Sequence, residues 1–222
     1  MTKTLFITAT GTDIGKTYFT RLLIRKLKAQ GHTVQAIKPV ISGVDPEDIS
    51  SSDSGLILKE LGLDINKENM AQISPWQFQA PLSPDVAALA EGKKVPFGDL
   101  IEFCQIEQNQ GVDYLIIEGV GGVMVPLDDH NSCLDWMAAL DAEITLVAGT
   151  YLGCISHILT ACTSLAHKNL SPKKIILSQS ENNPVEHDIL LSSLENFLPR
   201  SKIKFLERAD LSQKSPPLSQ LI

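Results

Sequence analysis

The sequence predicts an α/β fold built on a mostly parallel central sheet with helices on both faces. Three observations predict it. Apolar strand-like runs alternate with helical patterns along the chain. Two of the runs, 113–117 and 143–149, are nearly continuous in apolar residues, as strands buried on both faces are. A glycine-rich loop ending in Gly-Lys-Thr joins the first strand to the first helix.

The elements follow in order. Thr4 to Ala9 reads as the first strand. Lys16 to Gln30 reads as a helix, with Phe19, Leu22, Leu23 and Leu27 on one face and Gly31 as its stop. Thr33 to Lys38 is a second strand, closed by Pro39 and expected beside the first. Residues 39–52, rich in Ser, Gly, Asp and Pro, are long enough to act as a lid. Helices are expected over 51–61, 84–90 and 97–110. A strand at 113–117, another at 143–149, a helix at 153–167, a strand at 174–178, a helix at 184–197 and a strand at 203–206 complete the order. Residues 212–222 contain Ser-Pro-Pro and read as a surface tail.

The 222 residues are 43% apolar and 20% charged, which fits one globular domain over 1–222 and excludes a disordered chain, a collagen-like fibre and a coiled coil. Nineteen basic against twenty-six acidic residues leave a formal charge of −7, which argues against broad contact with nucleic acid or an anionic membrane. No apolar run reaches the length of a membrane span, and residues 1–7 lack the features of a signal peptide. Cys104, Cys133, Cys154 and Cys162 have no metal-ligand spacing and read as reduced thiols of a cytoplasmic protein.

The chemistry concentrates in three places. Residues 9–17, Ala-Thr-Gly-Thr-Asp-Ile-Gly-Lys-Thr, sit between strand and helix, where backbone N–H groups attract phosphate oxygens. Gly15 permits close approach, Lys16 neutralises phosphate charge, and the Thr17 hydroxyl suits Mg²⁺. The alternative is a plain Gly-Thr turn opening a helix. The run Asp113 to Ile117 then meets Glu118-Gly119-Val120-Gly121-Gly122, which sets a carboxylate at the ligand edge of a parallel sheet. Glu118 there is a metal candidate or a surface glutamate. Lys38 ends the second strand at the same edge, as an anion-binding group or a solvated lysine. Asp53 is a second Mg²⁺ carboxylate or a helix N-cap.

Taken together, these blocks resemble the dethiobiotin synthetase family. The likeness rests on Thr-Gly-Thr-Asp-Ile-Gly-Lys-Thr at 10–17 and Lys-Pro-Val-Ile-Ser-Gly at 38–43 with Ser-Asp at 52–53. It continues in Ala-Pro-Leu-Ser-Pro-Asp-Val-Ala-Ala at 80–88, Glu-Gly-Val-Gly-Gly at 118–122, and Leu-Gly-Cys-Ile-Ser-His at 152–157. The resemblance implies a P-loop NTPase-like fold and an ATP- and Mg²⁺-dependent carboxylation of 7,8-diaminononanoate. One amine would capture CO₂ as a carbamate, the carbamate would take the γ-phosphoryl group, and the second amine would close the ureido ring of dethiobiotin. By the same resemblance Thr12, Asp13, Ile14, Gly15, Lys16, Thr17 and Tyr18 hold the nucleotide phosphates. Gly119, Val120 and Gly121 join them at the nucleotide, and Ser178 and Gln179 stand at its base. Thr17, Asp53 and Glu118 hold Mg²⁺, and Lys38 and Lys16 stabilise the reacting groups. Thr12 and Ser42 contact the diamine, whose carboxylate rests on a helix start, Leu152, Gly153, Cys154 and Ser156, from the other subunit of a homodimer. His157 reads as a helix residue making a local hydrogen bond.

Four positions depart from the family pattern. Ala9 replaces a glycine, Asp13 a glutamate, Tyr151 a basic residue and Ser178 an asparagine. A P-loop nucleotide switch and an inactive nucleotide-binding paralogue are the competing readings.

Overall fold

The computed structural model describes residues 2–181 and 183–208. The expected tail at 212–222 lies outside the described residues.

Six strands form one parallel sheet: β1 (Lys3–Ala9), β2 (Val34–Ile37), β5 (Tyr114–Glu118), β6 (Glu143–Gly149), β7 (Lys174–Ser178) and β8 (Ile203–Leu206). Their order across the sheet is β2-β5-β1-β6-β7-β8. Phe6 is in register with Ile117 on β5 and with Ile144 on β6, so β1 is a central strand. Leu115, Ile116 and Ile117 are consecutive and all fully buried. Since successive side chains of a strand point to opposite faces, both faces of the sheet are covered. This is the doubly covered sheet expected from the continuous apolar runs. The second strand is not beside the first, however, because β5 lies between β1 and β2.

The helices are α1 (Lys16–Ala29), α2 (Asp53–Leu61), α3 (Lys67–Ile73), α4 (Pro84–Ala90), α5 (Phe97–Gln108), α6 (Cys133–Ala138), α7 (Cys154–His167) and α8 (His187–Glu195). Helix α1 buries Phe19, Leu22, Leu23 and Leu27, the stripe its 3.6-residue spacing predicts. Arg21 and Arg25 on its flank grip Glu60 of α2 at 2.8 Å and 2.5 Å, locking the two helices together. The core closes around Trp136, whose ring meets Phe6 edge-on at 4.9 Å.

Two helices escaped the sequence reading. Helix α3 is capped by the Asn66 side chain, which accepts from the Asn69 N–H. Helix α6 begins at Ser132, whose N–H and hydroxyl both donate to Asp135. Residues 39–52 differ from the expected free lid. Val40–Ile41 forms β3, which pairs in parallel with β4 (Trp76–Gln77). The Lys38 N–H donates to the Ile73 carbonyl, and the Val44 N–H to that of Phe78. The Gly43 N–H also donates to the Ala80 carbonyl, so residues 38–44 are clamped at several points.

Candidate functional site

Strands β1, β2 and β5 end at one edge of the sheet, and their C-terminal residues feed a cavity of about 850 Å³. Thr12, Lys16, Thr17, Lys38, Ser42 and Asp53 all open onto it. The phosphate loop is shaped by two left-handed residues, Asp13 at φ 56° and Gly15 at φ 106°. Gly15 is also a position where a Cβ would lie 2.6 Å from the Ser178 hydroxyl, so only glycine fits. Asp13 takes on the conformational cost that a glycine would avoid, roughly 1–2 kcal/mol. Ala9 needs no such conformation, because it ends β1 as a fully buried strand residue. Ile14 turns from the cavity to pack on the core.

The Lys16 ammonium is buried and donates to the carbonyls of Gly11 at 2.9 Å and Gly121 at 2.8 Å. Those bonds tie the loop to the 119–122 turn, which also packs on β1 through the Gly119 N–H and the Ile7 carbonyl. Burial, reinforced by the Lys38 charge, pulls the Lys16 pKa down to about 8. Val120 and Gly121 line the cavity, while Gly119 lies against Phe6.

Lys38 is the centre of a charge cluster. Its ammonium donates to Glu118 Oε1 at 2.7 Å and stands 3.0 Å from Asp53 Oδ2. The Thr17 hydroxyl donates to the same Glu118 oxygen at 2.6 Å. Burial works against the Lys38 charge, but Glu118 and Asp53 outweigh it and hold the pKa above the ordinary lysine value. Burial likewise opposes the Asp53 charge, and Lys38 overrides it, so Asp53 titrates below the usual carboxylate range. Asp53 is the first residue of α2 and not its cap. Ser52 is the cap, accepting from the Gly55 N–H at 3.1 Å. The Asp53 carboxylate is left to face the cavity.

Two buried oxygens here have no partner among the described residues, Glu118 Oε2 and Ser42 Oγ. An orphaned buried carboxylate oxygen is costly unless a ligand completes it. Thr17, Asp53 and Glu118 supply hard oxygen donors from three elements, a set that fits Mg²⁺. Among the described residues no group of three or more His, Cys, Asp or Glu converges. Magnesium sites that draw most of their shell from water and substrate phosphates need only one or two carboxylates.

The predicted residues do not all meet in this cavity. Leu152 is 85% exposed and Gly153 begins α7 at φ 94°, while Cys154 is buried. None of these, nor Ser156, lines it. Tyr151 Oη and His157 Nδ1 are 2.7 Å apart, the local hydrogen bond expected of that histidine. Ser178 is fully buried and lies under the side chain of Arg208, whose Nε donates to its hydroxyl at 3.2 Å. Gln179 accepts weakly from the Arg208 N–H at 3.4 Å. Sequence reasoning missed Arg208, because no motif surrounds it.

A family described as an AAA domain matches residues 3–210. The ATP-dependent dethiobiotin synthetase BioD of Acidiphilium cryptum (strain JF-5) is 44% identical over 194 residues, 87% of each chain. The chain belongs to the dethiobiotin synthetase family. The enzyme of the same name from Methylobacterium nodulans is 41% identical over 86% of this chain and 87% of its own. Members of this family are ligases, and the chain is an enzyme of that class. The septum site-determining protein MinD, complexed with Mg-ADP, from Pyrococcus horikoshii OT3 superposes with TM-score 0.55. It covers 86% of this chain and 77% of its own at 16% identity, a likeness of fold alone. Cyanthece apo McdA superposes with the same TM-score of 0.55, at 14% identity over 95% of this chain and 87% of its own.

Proposed function

We propose that the protein carboxylates 7,8-diaminononanoate with CO₂ and closes the ureido ring to dethiobiotin, converting ATP to ADP and phosphate in biotin biosynthesis. The observation that carries the reading is the meeting of a phosphate loop, the Lys38–Glu118–Asp53 cluster and Ser42 in one cavity.

The protein's part is charge placement and positioning. The backbone N–H groups of 12–18 and the Lys16 ammonium hold the nucleotide's phosphates at the start of α1. Thr17, Asp53 and Glu118 would hold Mg²⁺, which would supply neutralisation of phosphate charge. The Lys38 ammonium holds the carbamate formed when one substrate amine captures CO₂. The Ser42 hydroxyl and Thr12 orient the diamine. A carbamate oxygen then attacks the γ-phosphorus and ADP leaves. The second amine attacks the carbonyl of the resulting carbamic–phosphoric anhydride, its proton is lost, and phosphate departs with the oxygen that attacked. Ring closure is intramolecular, so orientation supplies much of the rate. No protein nucleophile is needed. The start of α7 would receive the substrate's carboxylate from across a homodimer, and no described helix is long and apolar enough to cross a membrane.

Oxygen bookkeeping tests the scheme. With ¹⁸O-labelled CO₂, one labelled oxygen is expected in the released phosphate and the other in the ureido carbonyl. Unlabelled phosphate in the presence of product would exclude a carbamate attack on ATP.

A further inference from the structure

Two strips of chain meet in the cavity wall, 41–43 and 81–84, and both line it. Between β4 and α4, residues 78–83 belong to neither strand nor helix, so individual bonds set their position. On one side they run along the first strip. The Phe78 N–H donates to the Ile41 carbonyl at 2.9 Å, the Val44 N–H to the Phe78 carbonyl at 3.0 Å and the Gly43 N–H to the Ala80 carbonyl at 3.2 Å. Pro81 presses on Gly43, where an added Cβ would lie 3.3 Å from its ring. Leu82 at the bend is 49% exposed, so core packing does not hold it.

The N–H groups of Gln79 and Ala80 find one acceptor, at the far end of α4. Glu91 Oε1 takes the first at 2.6 Å and reaches the second at 3.4 Å. Glu91 is itself fixed from behind. It follows α4, whose Pro84, Ala87 and Ala88 are buried, and its own N–H donates to the Ala87 carbonyl at 3.2 Å. Gly92 then turns through the left-handed region at φ 63°. Past that turn, the Lys93 ammonium meets Glu91 Oε2 at 2.6 Å and the Gln77 carbonyl at 3.2 Å. Residues 79–91 thus form a loop closed by the Glu91 carboxylate, and 81–84 is the stretch of that loop that faces the cavity. The Lys93 side chain is 53% exposed, so its ion pair contributes little. The restraint lies in the charge-assisted bonds from Glu91 to the backbone.

We infer that Glu91 is a positioning residue for the substrate, holding the 81–84 wall against the Ser42 strip from outside the cavity. This rests on the reading that the cavity takes the diamine beside Ser42. The test is kinetic and structural, on the full-length protein. Glu91→Ala is expected to raise KM for the diamine about fivefold, with kcat and KM for ATP within about twofold, since other bonds hold the phosphate loop. Glu91→Gln keeps an oxygen acceptor without the charge and is expected to return the diamine KM to within about twofold of wild type. Amide hydrogen exchange of the ligand-free protein reads the restraint itself. Gln79 and Ala80 should exchange about tenfold faster in the alanine variant, while β1 and β5 keep wild-type protection, which shows that the variant folds. Unchanged exchange at 79 and 80, an equal rise in both KM values, or no rescue by glutamine would each overturn the inference. A wild-type protein that fails to turn over the diamine would contradict the proposed function instead, and exchange alone would then support or overturn the restraint.

Discussion

At the scale of single residues, the account depends on two buried lysines with opposite electrostatics. Lys16 has only carbonyl partners and burial pulls its pKa down to about 8, so a phosphate anion would relieve the buried charge. Lys38 is already paired with Glu118 and Asp53, so it is released only when something else takes those carboxylates. Lys16→Ala removes phosphate charge stabilisation from a dry site and is expected to lower kcat by about 10³-fold, a loss typical of a preorganised charge-stabilising donor. Turnover assays check it, and near-normal activity would refute the scheme. Glu118→Gln leaves Lys38 buried with one carboxylate instead of two, and should destabilise the fold by about 3 kcal/mol. It should also raise the Mg²⁺ concentration needed for activity, which chemical denaturation and a magnesium titration read separately.

At the scale of elements, Asp53 depends on how α2 starts. The chain makes a 3₁₀ turn at Ile49–Ser51, is capped by Ser52, and enters α2 with Gly55 packed against that turn. A Cβ on Gly55 would lie 2.2 Å from the Ile49 carbonyl. Gly55→Ala is therefore expected to shift the start of α2, costing about 1–3 kcal/mol and weakening Mg²⁺ binding without touching a ligand. A urea midpoint and a magnesium titration check both parts. Helix α6 gives a pH test. Hydrogen bonds from Ser132, with help from Lys168, hold the Asp135 pKa at about 2, below its ordinary 3.8. A carboxylate with a lowered folded pKa stabilises the fold above the unfolded value and loses that contribution as pH falls through the folded one. Asp135→Asn should lower the melting temperature at pH 6, and the gap to wild type should narrow from pH 4 towards pH 2.

These elements also mark where the sequence was legible. Strands β5 and β6 could be read because burial on both faces leaves a nearly continuous apolar run, and α1 because its stripe repeats at helical spacing. Helices α3 and α6 span seven and six residues, too short for a periodic stripe, and lack the first-turn proline that marks the equally short α4. The Ser132–Asp135 spacing at the start of α6 was nonetheless an available signal. Strands β3 and β4 are two residues each and declare themselves only by pairing with one another across 35 residues of chain. The candidate site was legible where motif and strand end coincide, at Lys16, Thr17, Lys38 and Glu118. Arg208 was not, because its place is fixed by the approach of β8 to the phosphate loop and by nothing local.

At the scale of the whole molecule, the sheet collects the phosphate loop, Lys38, Glu118 and Asp53 at one edge, while the start of α7 stands apart and exposed at Leu152. A site completed by a second copy reconciles the two. It predicts that Lys16→Ala and Ser156→Asp, each inactive as a pure protein, regain activity when mixed, because one site of the mixed dimer is intact. Absence of recovery in verified mixed dimers would place the carboxylate site within one subunit. The most direct measurement is product formation. Purified protein is incubated with MgATP, bicarbonate and 7,8-diaminononanoate, and dethiobiotin is sought by mass spectrometry. The account predicts dethiobiotin only when all three are present, with one ADP and one phosphate per ring closed. ATP bound tightly with no dethiobiotin formed would contradict it.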